Sequence, residues 1–582
     1  MASSILSHPL TALYATHSAS TPFLLKPATI KNPTRRRHNN ISCKSTNHDD
    51  QESTEFESTK FDRRNMLIGL YGATTLATTP FSFAAPISAP DITECLPAEV
   101  PEGTPPTDCC PPTTAEIIDF QFPSDAELRV RPAAHLVDAD YVAKFNRAVE
   151  LMRALPDDDP RSFSQQADVH CAYCSHGYDQ RGFPNLELQI HSSWLFFPFH
   201  RYYLYFFERI LGKLIDDPTF AFPFWNWDSP AGMQMPSIYT YPNSSLYDPL
   251  RDQAHLPPTI IDLNFNGVDS DSDSNTPDDQ RIQTNLNIMY RQMVSNAKTP
   301  LLFFGSPYRR GDPPNPGAGS VENVPHGPVH VWTGDPTQPN REDMGTFYSA
   351  GRDPIFFAHH ANIDRMWNVW KTLGGRRRDL TDPDYLNASF VFYDENARLV
   401  RVKVRDCLDH TKLGYTYQDV EIPWLNSRPT PRVPPAERKK TDPADAPSPG
   451  DVFPAKLDGV VKVVVKRPKV NRSKEEKAEL EEILVIEGVE VGSDVYAKFD
   501  IHINDGDEAV TTAANTEFAG GFVNVQRGPT HEHQMKTQLR VSITDVLEDL
   551  GADGDEYVLV TLVPTIAGDV LGVDNVKIVL DN

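Results

Sequence analysis

The chain has 582 residues, enough for two or three domains, and 39% of them are hydrophobic, which allows a large core. Its formal net charge of −25 argues against nucleic acid or an anionic membrane surface as the main partner. No apolar run approaches the roughly 18 to 20 residues of a membrane-spanning helix, so we expect no stable membrane insertion.

The first 84 residues differ in composition from the rest of the chain. Residues 1–48 contain no Asp or Glu but six Lys or Arg and thirteen Ser or Thr, which is typical of an organelle transit peptide. A disordered basic tail is the alternative. A twin arginine at 63–64 then precedes a mildly apolar stretch, 66–83, and a small-residue cleavage site, as in twin-Arg export signals. Together these signals predict plastid (chloroplast) import followed by transfer into the thylakoid lumen, with a mature chain that begins near Ala85.

Six histidines fall into two triplets, which are the main candidates for a metal site. The first triplet is His170, His191 and His200, and the second is His326, His330 and His360. His326 and His330 are four residues apart, so a helix would place both imidazoles on one face. A single buried histidine is more often a hydrogen-bonded core residue, but two triplets favour a metal. His359 must point away from its neighbour His360, and we expect it not to be a ligand.

The ligand types narrow the choice of metal. Six neutral imidazoles without an obvious carboxylate ligand suit copper or zinc rather than magnesium, calcium or manganese. Two facing three-histidine sites leave an open side on each metal, where O2 can bind. Zinc has no redox chemistry, so a paired site of this kind is more useful to copper.

These segments resemble the tyrosinase and plant polyphenol oxidase family, whose members hold a type-3 pair of copper ions. The pattern D-P-x-F-F-x-x-H-x-x-x-D is matched from Asp353 to Asp364, and H-x(8)-H-R is matched from His191 to Arg201. The resemblance covers essentially the whole mature chain. It implies a mainly α four-helix bundle with the copper pair at its centre. It assigns copper A to His170, His191 and His200, and copper B to His326, His330 and His360.

The seven cysteines also map onto the family pattern. The CxxC formed by Cys171 and Cys174 could by itself be a redox pair or half of a zinc site. The resemblance instead implies a thioether between Cys174 and His191, which would lock that imidazole against rotation. It also implies the disulfides Cys95–Cys110 and Cys109–Cys171, with Cys407 unpaired.

Four further positions carry expectations from the same resemblance. Phe347 matches a gate residue over copper B, and Glu322 matches an acidic residue that holds a water in the active site. Tyr415 and Tyr417 match the tyrosine motif that closes the catalytic domain. Family members that hydroxylate monophenols often have Asn directly after the first copper B ligand, where this chain has Gly327. We therefore expect diphenol oxidation with weak or absent monophenol hydroxylation.

The C-terminal third differs from the histidine-bearing part. Short β-branched runs separated by turn residues predict an antiparallel β-sandwich over 453–582, after a Pro-rich linker, 425–452, that offers a proteolysis zone. In the family this domain covers the active site of the catalytic domain, here 85–424, and keeps the enzyme latent. An acidic loop that starts at Asp262 could bind calcium, although a solvated loop fits better. His531 and His533 could bind a metal, although a surface turn fits better.

These observations predict a catechol oxidase that converts o-diphenols and O2 to o-quinones and water and is made as a latent precursor. A tyrosinase with additional monophenol hydroxylase activity is the alternative within the class. A reversible O2-binding protein with the same copper pair is the alternative from another class. The partners implied are O2 and small phenolic substrates.

Overall fold

The computed structural model describes residues 85–113, 116–123, 127–270, 276–507, 511–528 and 534–581. The predicted targeting segment 1–84 lies outside these residues, as do His531, His533 and the centre of the acidic loop at 271–275. All of the described residues belong to one compact unit. Among them, no helix combines the length and the apolar character that crossing a bilayer requires.

Eleven α-helices lie within the described residues, most of them before residue 390. They are α1 Ala139–Arg153, α2 Phe163–Cys174, α3 Phe196–Leu214, α4 Asp278–Tyr290, α5 Pro300–Phe304, α6 Gly327–Thr333, α7 Ile355–Thr372, α8 Pro383–Asn387, α9 Pro449–Val452, α10 Lys474–Glu479 and α11 Thr544–Asp549. Helices α2, α3, α6 and α7 form the bundle and carry four of the six predicted histidine ligands. The predicted helical core is therefore confirmed.

Capping groups explain where the main helices start. The side chain of Asp138 accepts the Tyr141 N–H at the start of α1, and the side chain of Ser162 accepts the Gln165 N–H at the start of α2. Asp353 accepts the N–H of Ile355 at 2.9 Å where α7 begins, and Arg251 pairs with this carboxylate. Helix α3 is apolar around most of its circumference, which is why it is buried at the centre of the bundle.

The second triplet does not lie on one regular helix. Glu322–His326 is a π-helical turn that contains Pro325, and Val324 has extended backbone angles there. Proline lacks an N–H and clashes with the preceding turn, so regular helix begins only at Gly327. The imidazoles of His326 and His330 still lie on the same side, with ring centroids 4.6 Å apart.

The segment before α1 is extended and is held against the catalytic core by short parallel strands and disulfides. Strand β1 (Ile118–Asp119) pairs with β6 (Leu399–Lys403), and β2 (Arg129–Arg131) pairs with β7 (Tyr415–Tyr417). The remaining strands of this part are β3 Asp179–Gln180, β4 Phe183–Glu187 and β5 Ser389–Tyr393.

The C-terminal part is a sandwich of two antiparallel sheets, as predicted. Its strands are β8 Ala455–Lys456, β9 Val461–Lys466, β10 Glu481–Val491, β11 Ala497–Ile503, β12 Phe518–Asn524, β13 Met535–Ser542, β14 Tyr557–Ile566, β15 Gly572–Val573 and β16 Asn575–Asp581. One sheet contains β8, β10, β13, β15 and β16, and the other has the order β12-β11-β14-β9. Strand β12 is an edge of the second sheet and faces the histidine-bearing bundle.

Candidate metal centre

The six predicted ligands converge at the centre of the bundle. His170 lies in the last turns of α2, His200 near the start of α3, and His360 in α7. His326 ends the π-helical turn and His330 lies in α6, whereas His191 lies in the loop before α3. All six side chains are buried. The two triplets face each other, since the rings of His200 and His360 stack with centroids 4.2 Å apart.

Backbone carbonyls fix the orientation of four of the six imidazoles. The Nδ1 atoms lie 2.8 to 3.0 Å from carbonyl oxygens, in the pairs His170–Phe347, His200–Phe196, His326–Glu322 and His330–Met344. A carbonyl can only accept, so each of these Nδ1 atoms carries the proton. The Nε2 lone pairs are then free to bind a metal, an arrangement that metalloproteins commonly use.

Most of the Nε2 atoms have no hydrogen-bond partner within the protein, which favours metal ions as their partners. The Nε2 atoms of His170, His191, His200 and His326 are buried without a hydrogen-bond partner, which is costly unless a ligand satisfies them. In the second group, Nε2 of His330 and Nε2 of His360 lie 3.1 Å apart. The ligand atoms of each triplet lie within 4.8 Å of one another.

The protonation state of the imidazoles is the one that metals require. Burial lowers the pKa of His170 to about 3 and that of His330 to about 4. Burial also lowers the pKa values of the other four imidazoles well below the ordinary value. Neutral imidazole, with one free lone pair, is the form that binds copper or zinc.

His359 lies within the second group by distance, but its hydrogen bonding sets it apart. The indole N–H of Trp227 donates to Nδ1 of His359 at 3.1 Å. Because Nδ1 accepts this bond, the neutral ring carries its proton on Nε2 and has no lone pair directed at the metal centre. This geometry agrees with the expectation that His359 is not a ligand.

Glu322 and Phe347 border the histidines. One carboxylate oxygen of Glu322 accepts the Ser192 N–H at 2.5 Å, and the other is buried without a partner. Burial raises the pKa of Glu322 well above its usual range. The Phe347 ring stacks on His191, a ligand assigned to copper A, with ring centroids 4.3 Å apart, whereas the family pattern predicts a gate residue over copper B.

Two disulfides, Cys95–Cys110 and Cys109–Cys171, tether the N-terminal arm. Cys174 and Cys407 are free and buried, and burial raises the pKa of both thiols. Cys171 lies in helix α2 next to His170, so its disulfide with Cys109 attaches the N-terminal arm directly beside the first histidine triplet.

Gln189, which no motif in the sequence singles out, joins the segments of Cys174 and His191. Its side-chain oxygen accepts the N–H groups of Ile190 and His191 at 2.9 and 3.0 Å, and its amide donates to the Cys174 carbonyl. The only signal in the sequence was its position two residues before a histidine. A third group that could hold a metal by distance, Asp252–His255–Asp269, also went unnoticed, and the His255 ring is hydrogen-bonded to Trp332 and Asp269.

A buried charge network supports the bundle behind the histidines. Asp364, at the end of the family pattern, pairs with Arg201 at 2.5 Å and accepts hydrogen bonds from Tyr415 and Tyr417. Burial alone would raise the pKa of Asp364, but Arg201 and Arg131 lower it below the ordinary value. The network joins α3, α7 and strand β7, which is how the tyrosine motif closes this part of the chain.

The C-terminal domain covers the centre. A cavity of about 40 Å³ remains between the histidines and the segment 523–527, room for about one water molecule. A methyl group placed on Gly327 would lie 3.0 Å from Val523 and 3.2 Å from Val525. The Phe347 N–H donates to the carbonyl of Gln526. A phenolic ring does not fit in the space that remains.

Three family models match successive parts of the chain. The common central domain of tyrosinase matches residues 160–373, and the polyphenol oxidase middle domain matches residues 379–430. The chloroplastic polyphenol oxidase C-terminal domain matches residues 453–580.

Individual relatives cover nearly the whole chain. Aureusidin synthase from Antirrhinum majus is 61% identical over 95% of this chain and 100% of its own length. Chloroplastic polyphenol oxidase from Malus domestica is 57% identical over 92% of each chain. Among solved structures, latent apple tyrosinase has a TM-score of 0.76, 59% identity and 80% coverage of this chain, 100% of its own. Latent aurone synthase has a TM-score of 0.81, 46% identity and 85% coverage of this chain, 99% of its own. The chain therefore belongs to the plant polyphenol oxidases, oxidoreductases of the tyrosinase family with two copper ions as cofactor.

Proposed function

We propose that the protein is a catechol oxidase, which converts o-diphenols and O2 to o-quinones and water. His170, His191 and His200 hold copper A, and His326, His330 and His360 hold copper B. The observation that carries this proposal is the set of converging, buried imidazoles. In His170, His200 and His326, Nε2 has no hydrogen-bond partner while a backbone carbonyl holds Nδ1.

The bound copper pair supplies the redox chemistry, one electron per metal, and the protein supplies position and dryness. The Phe347 ring, stacked on His191, forms the wall against which a phenolic ring lies flat. The unpartnered carboxylate oxygen of Glu322 holds a water that can take the phenolic proton. The surrounding buried aromatics exclude water from the centre.

A thioether joins Cys174 to His191. It forms when the free thiol loses its S–H and the imidazole loses a C–H in a two-electron oxidation, for which O2 is the oxidant. Gln189 supports this assignment because its side chain bridges the backbones of both residues. Such a bond fixes the imidazole of a ligand that lies in a loop and whose Nδ1 has no carbonyl partner.

The chain is made as a latent precursor with four parts. Residues 1–84 direct it to the plastid and the thylakoid lumen, 85–424 form the catalytic domain, 425–452 form a cleavable linker, and 453–582 form the shielding domain. The relatives named chloroplastic and the two structural neighbours named latent support this division. The residues over Gly327 provide the physical reason for latency.

Monophenol hydroxylation is a second candidate function. It is favoured by one relative at 49% identity, (+)-larreatricin hydroxylase from Larrea tridentata, and by the buried Glu322. The absence of a side chain at Gly327 favours diphenol oxidation instead, because no amide helps to polarise a water there.

An oxygen electrode tests these alternatives. Copper-loaded full-length protein is assayed with 4-methylcatechol and with tyramine, before and after limited proteolysis in the linker. We expect sustained oxygen consumption with 4-methylcatechol only after cleavage, and little with tyramine. Reversible O2 binding without turnover would show an oxygen carrier, and rapid turnover of tyramine would show a tyrosinase.

A further inference from the structure

Asn323 lies between Glu322 and His326 on the π-helical turn, yet its side chain points toward the C-terminal domain. Its amide nitrogen donates to the carbonyl of Gly521, and its oxygen accepts the Val523 N–H at 2.9 Å. Both partners are backbone groups of β12. The side chain is thus hydrogen-bonded by the covering domain.

Asn323 binds the open edge of strand β12. Strand β12 is paired on one side with β11, so its other side presents free N–H and C=O groups. Asn323 satisfies one donor and one acceptor on that side with a single side chain. An amide side chain that hydrogen-bonds a backbone C=O and a backbone N–H can also hydrogen-bond an acceptor and a donor on a ligand.

Asn323 also belongs to the wall of the covered cavity. It lines that cavity together with Glu322, His326 and Gly327, while Val523 lies over Gly327. When the C-terminal domain leaves, two features become accessible together. One is an apolar space over Gly327, and the other is an amide that has lost both hydrogen-bond partners.

We infer that Asn323 is a specificity-determining residue of the cleaved enzyme, which hydrogen-bonds polar groups on the substituent of the phenolic substrate. The inference rests on the proposed catechol oxidation. The substrate class is a catechol whose side chain carries a donor and an acceptor, such as an amide, beyond the reacting ring. In the uncleaved chain, the backbone of β12 takes the place of that substituent.

The test compares two substrates with three side-chain carbons each, 4-propylcatechol and dihydrocaffeic acid amide, of which only the second ends in an amide. Full-length copper-loaded protein is cleaved in the linker and assayed at once. The catalytic part has its own core, and two solved relatives that cover 58% and 59% of this chain have 100% of their own length covered. For Asn323→Ala we expect KM for the amide to rise about three- to tenfold, the size of one to two neutral hydrogen bonds. KM for 4-propylcatechol should stay within about twofold.

Asn296→Ala is the matched control, because Asn296 donates to the Ala519 carbonyl of the same strand but does not line the cavity. It should change neither KM. Asn323→Asp, which keeps an acceptor and loses the donor, should lie between wild type and Asn323→Ala. Equal changes for both substrates, or no change for either, would overturn the inference. If the wild-type enzyme oxidises neither catechol, the proposed function fails instead, and the two failures are distinguishable.

Discussion

The carbonyl oxygen of Gln526, in the C-terminal domain, accepts the backbone N–H of Phe347 at 3.1 Å. On the other side of the same loop, the Phe347 carbonyl accepts Nδ1–H of His170, and the Phe347 ring stacks on His191. The covering domain therefore touches the loop that orients the first histidine triplet. In the latent form proposed above, the C-terminal domain both blocks the entrance and restrains the loop of Phe347.

Arg527 forms a buried ion pair that holds the C-terminal domain against the catalytic part. Its guanidinium lies 3.3 Å from the Glu187 carboxylate, and both side chains are at most 6% exposed. Arg527→Ala leaves the carboxylate buried without its counter-charge, which costs about 3 kcal/mol. We expect oxygen consumption by the uncleaved chain to rise several-fold, because the docked state of the C-terminal domain loses that stabilisation.

Lys536→Ala is the control for this prediction. Lys536 is half-exposed and pairs with Glu490 and Asp574 inside the C-terminal domain, so its removal costs at most about 1 kcal/mol. Its residual activity should match wild type. If uncleaved Arg527→Ala and uncleaved wild type consumed oxygen at equal rates, the Arg527–Glu187 pair would not hold the C-terminal domain in its docked position.

Gly327→Asn should change both docking and substrate range. The new side chain would meet the methyl groups of Val523 and Val525, so the uncleaved variant should be less latent. In the cleaved variant the added amide lies five residues after Glu322 in the sequence and can help to polarise a water. We expect tyramine hydroxylation to increase relative to 4-methylcatechol oxidation, measured on cleaved protein so that docking does not contribute. Unchanged ratios would refute the role given to this position.

His176 should make stability depend on pH. Burial alone would lower the pKa of His176, but hydrogen bonds to Glu99 and Asp179 raise it to about 9. The folded-state pKa lies above the unfolded value of about 6.5. The stabilisation is therefore full below about pH 6.5 and is lost as the pH rises through about 9.

The variant His176→Asn tests this window, since Asn tolerates the left-handed backbone at this position, where φ is 55°. It should lower the free energy of unfolding by about 2 kcal/mol at pH 6, with a difference that shrinks as the pH rises from about 6.5 to about 9. His135 is the control because burial lowers its pKa. The penalty for His135→Asn should not grow toward low pH. A pH-independent penalty for His176→Asn would contradict the account.

The two disulfides should differ in their effect on stability. Cys109–Cys171 closes a separation of 62 residues and Cys95–Cys110 one of 15. Loop entropy predicts losses of about 4 and about 3 kcal/mol when each pair is replaced by Ala. Denaturant unfolding of the two double variants measures this order. A larger loss for Cys95–Cys110 would show that the arm is held mainly by its other contacts.

The helices were predictable where apolar spacing was regular. The apolar pattern of the sequence predicts helical patches at 141–155, 199–214 and 355–373. The structure has α1, most of α3 and α7 at these places. The boundaries moved by up to three residues, because caps and prolines set them. The histidine pattern identified the residues that converge, but the kink at Pro325 and the carbonyl partners depend on tertiary packing.

The strands were predictable only in part. In the sequence, short β-branched runs begin at 460, 484, 495, 558 and 576. These runs correspond to β9, β10, β11, β14 and β16. Strand β12 was missed because two glycines interrupt it, and glycine is unfavourable in strands. Strand β13 was missed although its buried residues alternate with more exposed ones, a pattern that predicts a half-buried strand. Since β12 carries the contacts over Gly327, the mode of latency was not predictable in detail.

Copper analysis of single histidine variants tests the central claim most directly. His359→Gln keeps an acceptor for the Trp227 N–H, so it is the matched control for His360→Gln in the same helix. We expect about two copper ions per chain in wild type and in His359→Gln, and about one in His360→Gln and in His200→Gln. Wild-type protein with far fewer than two copper ions, or an equal loss in His359→Gln and His360→Gln, would contradict the account.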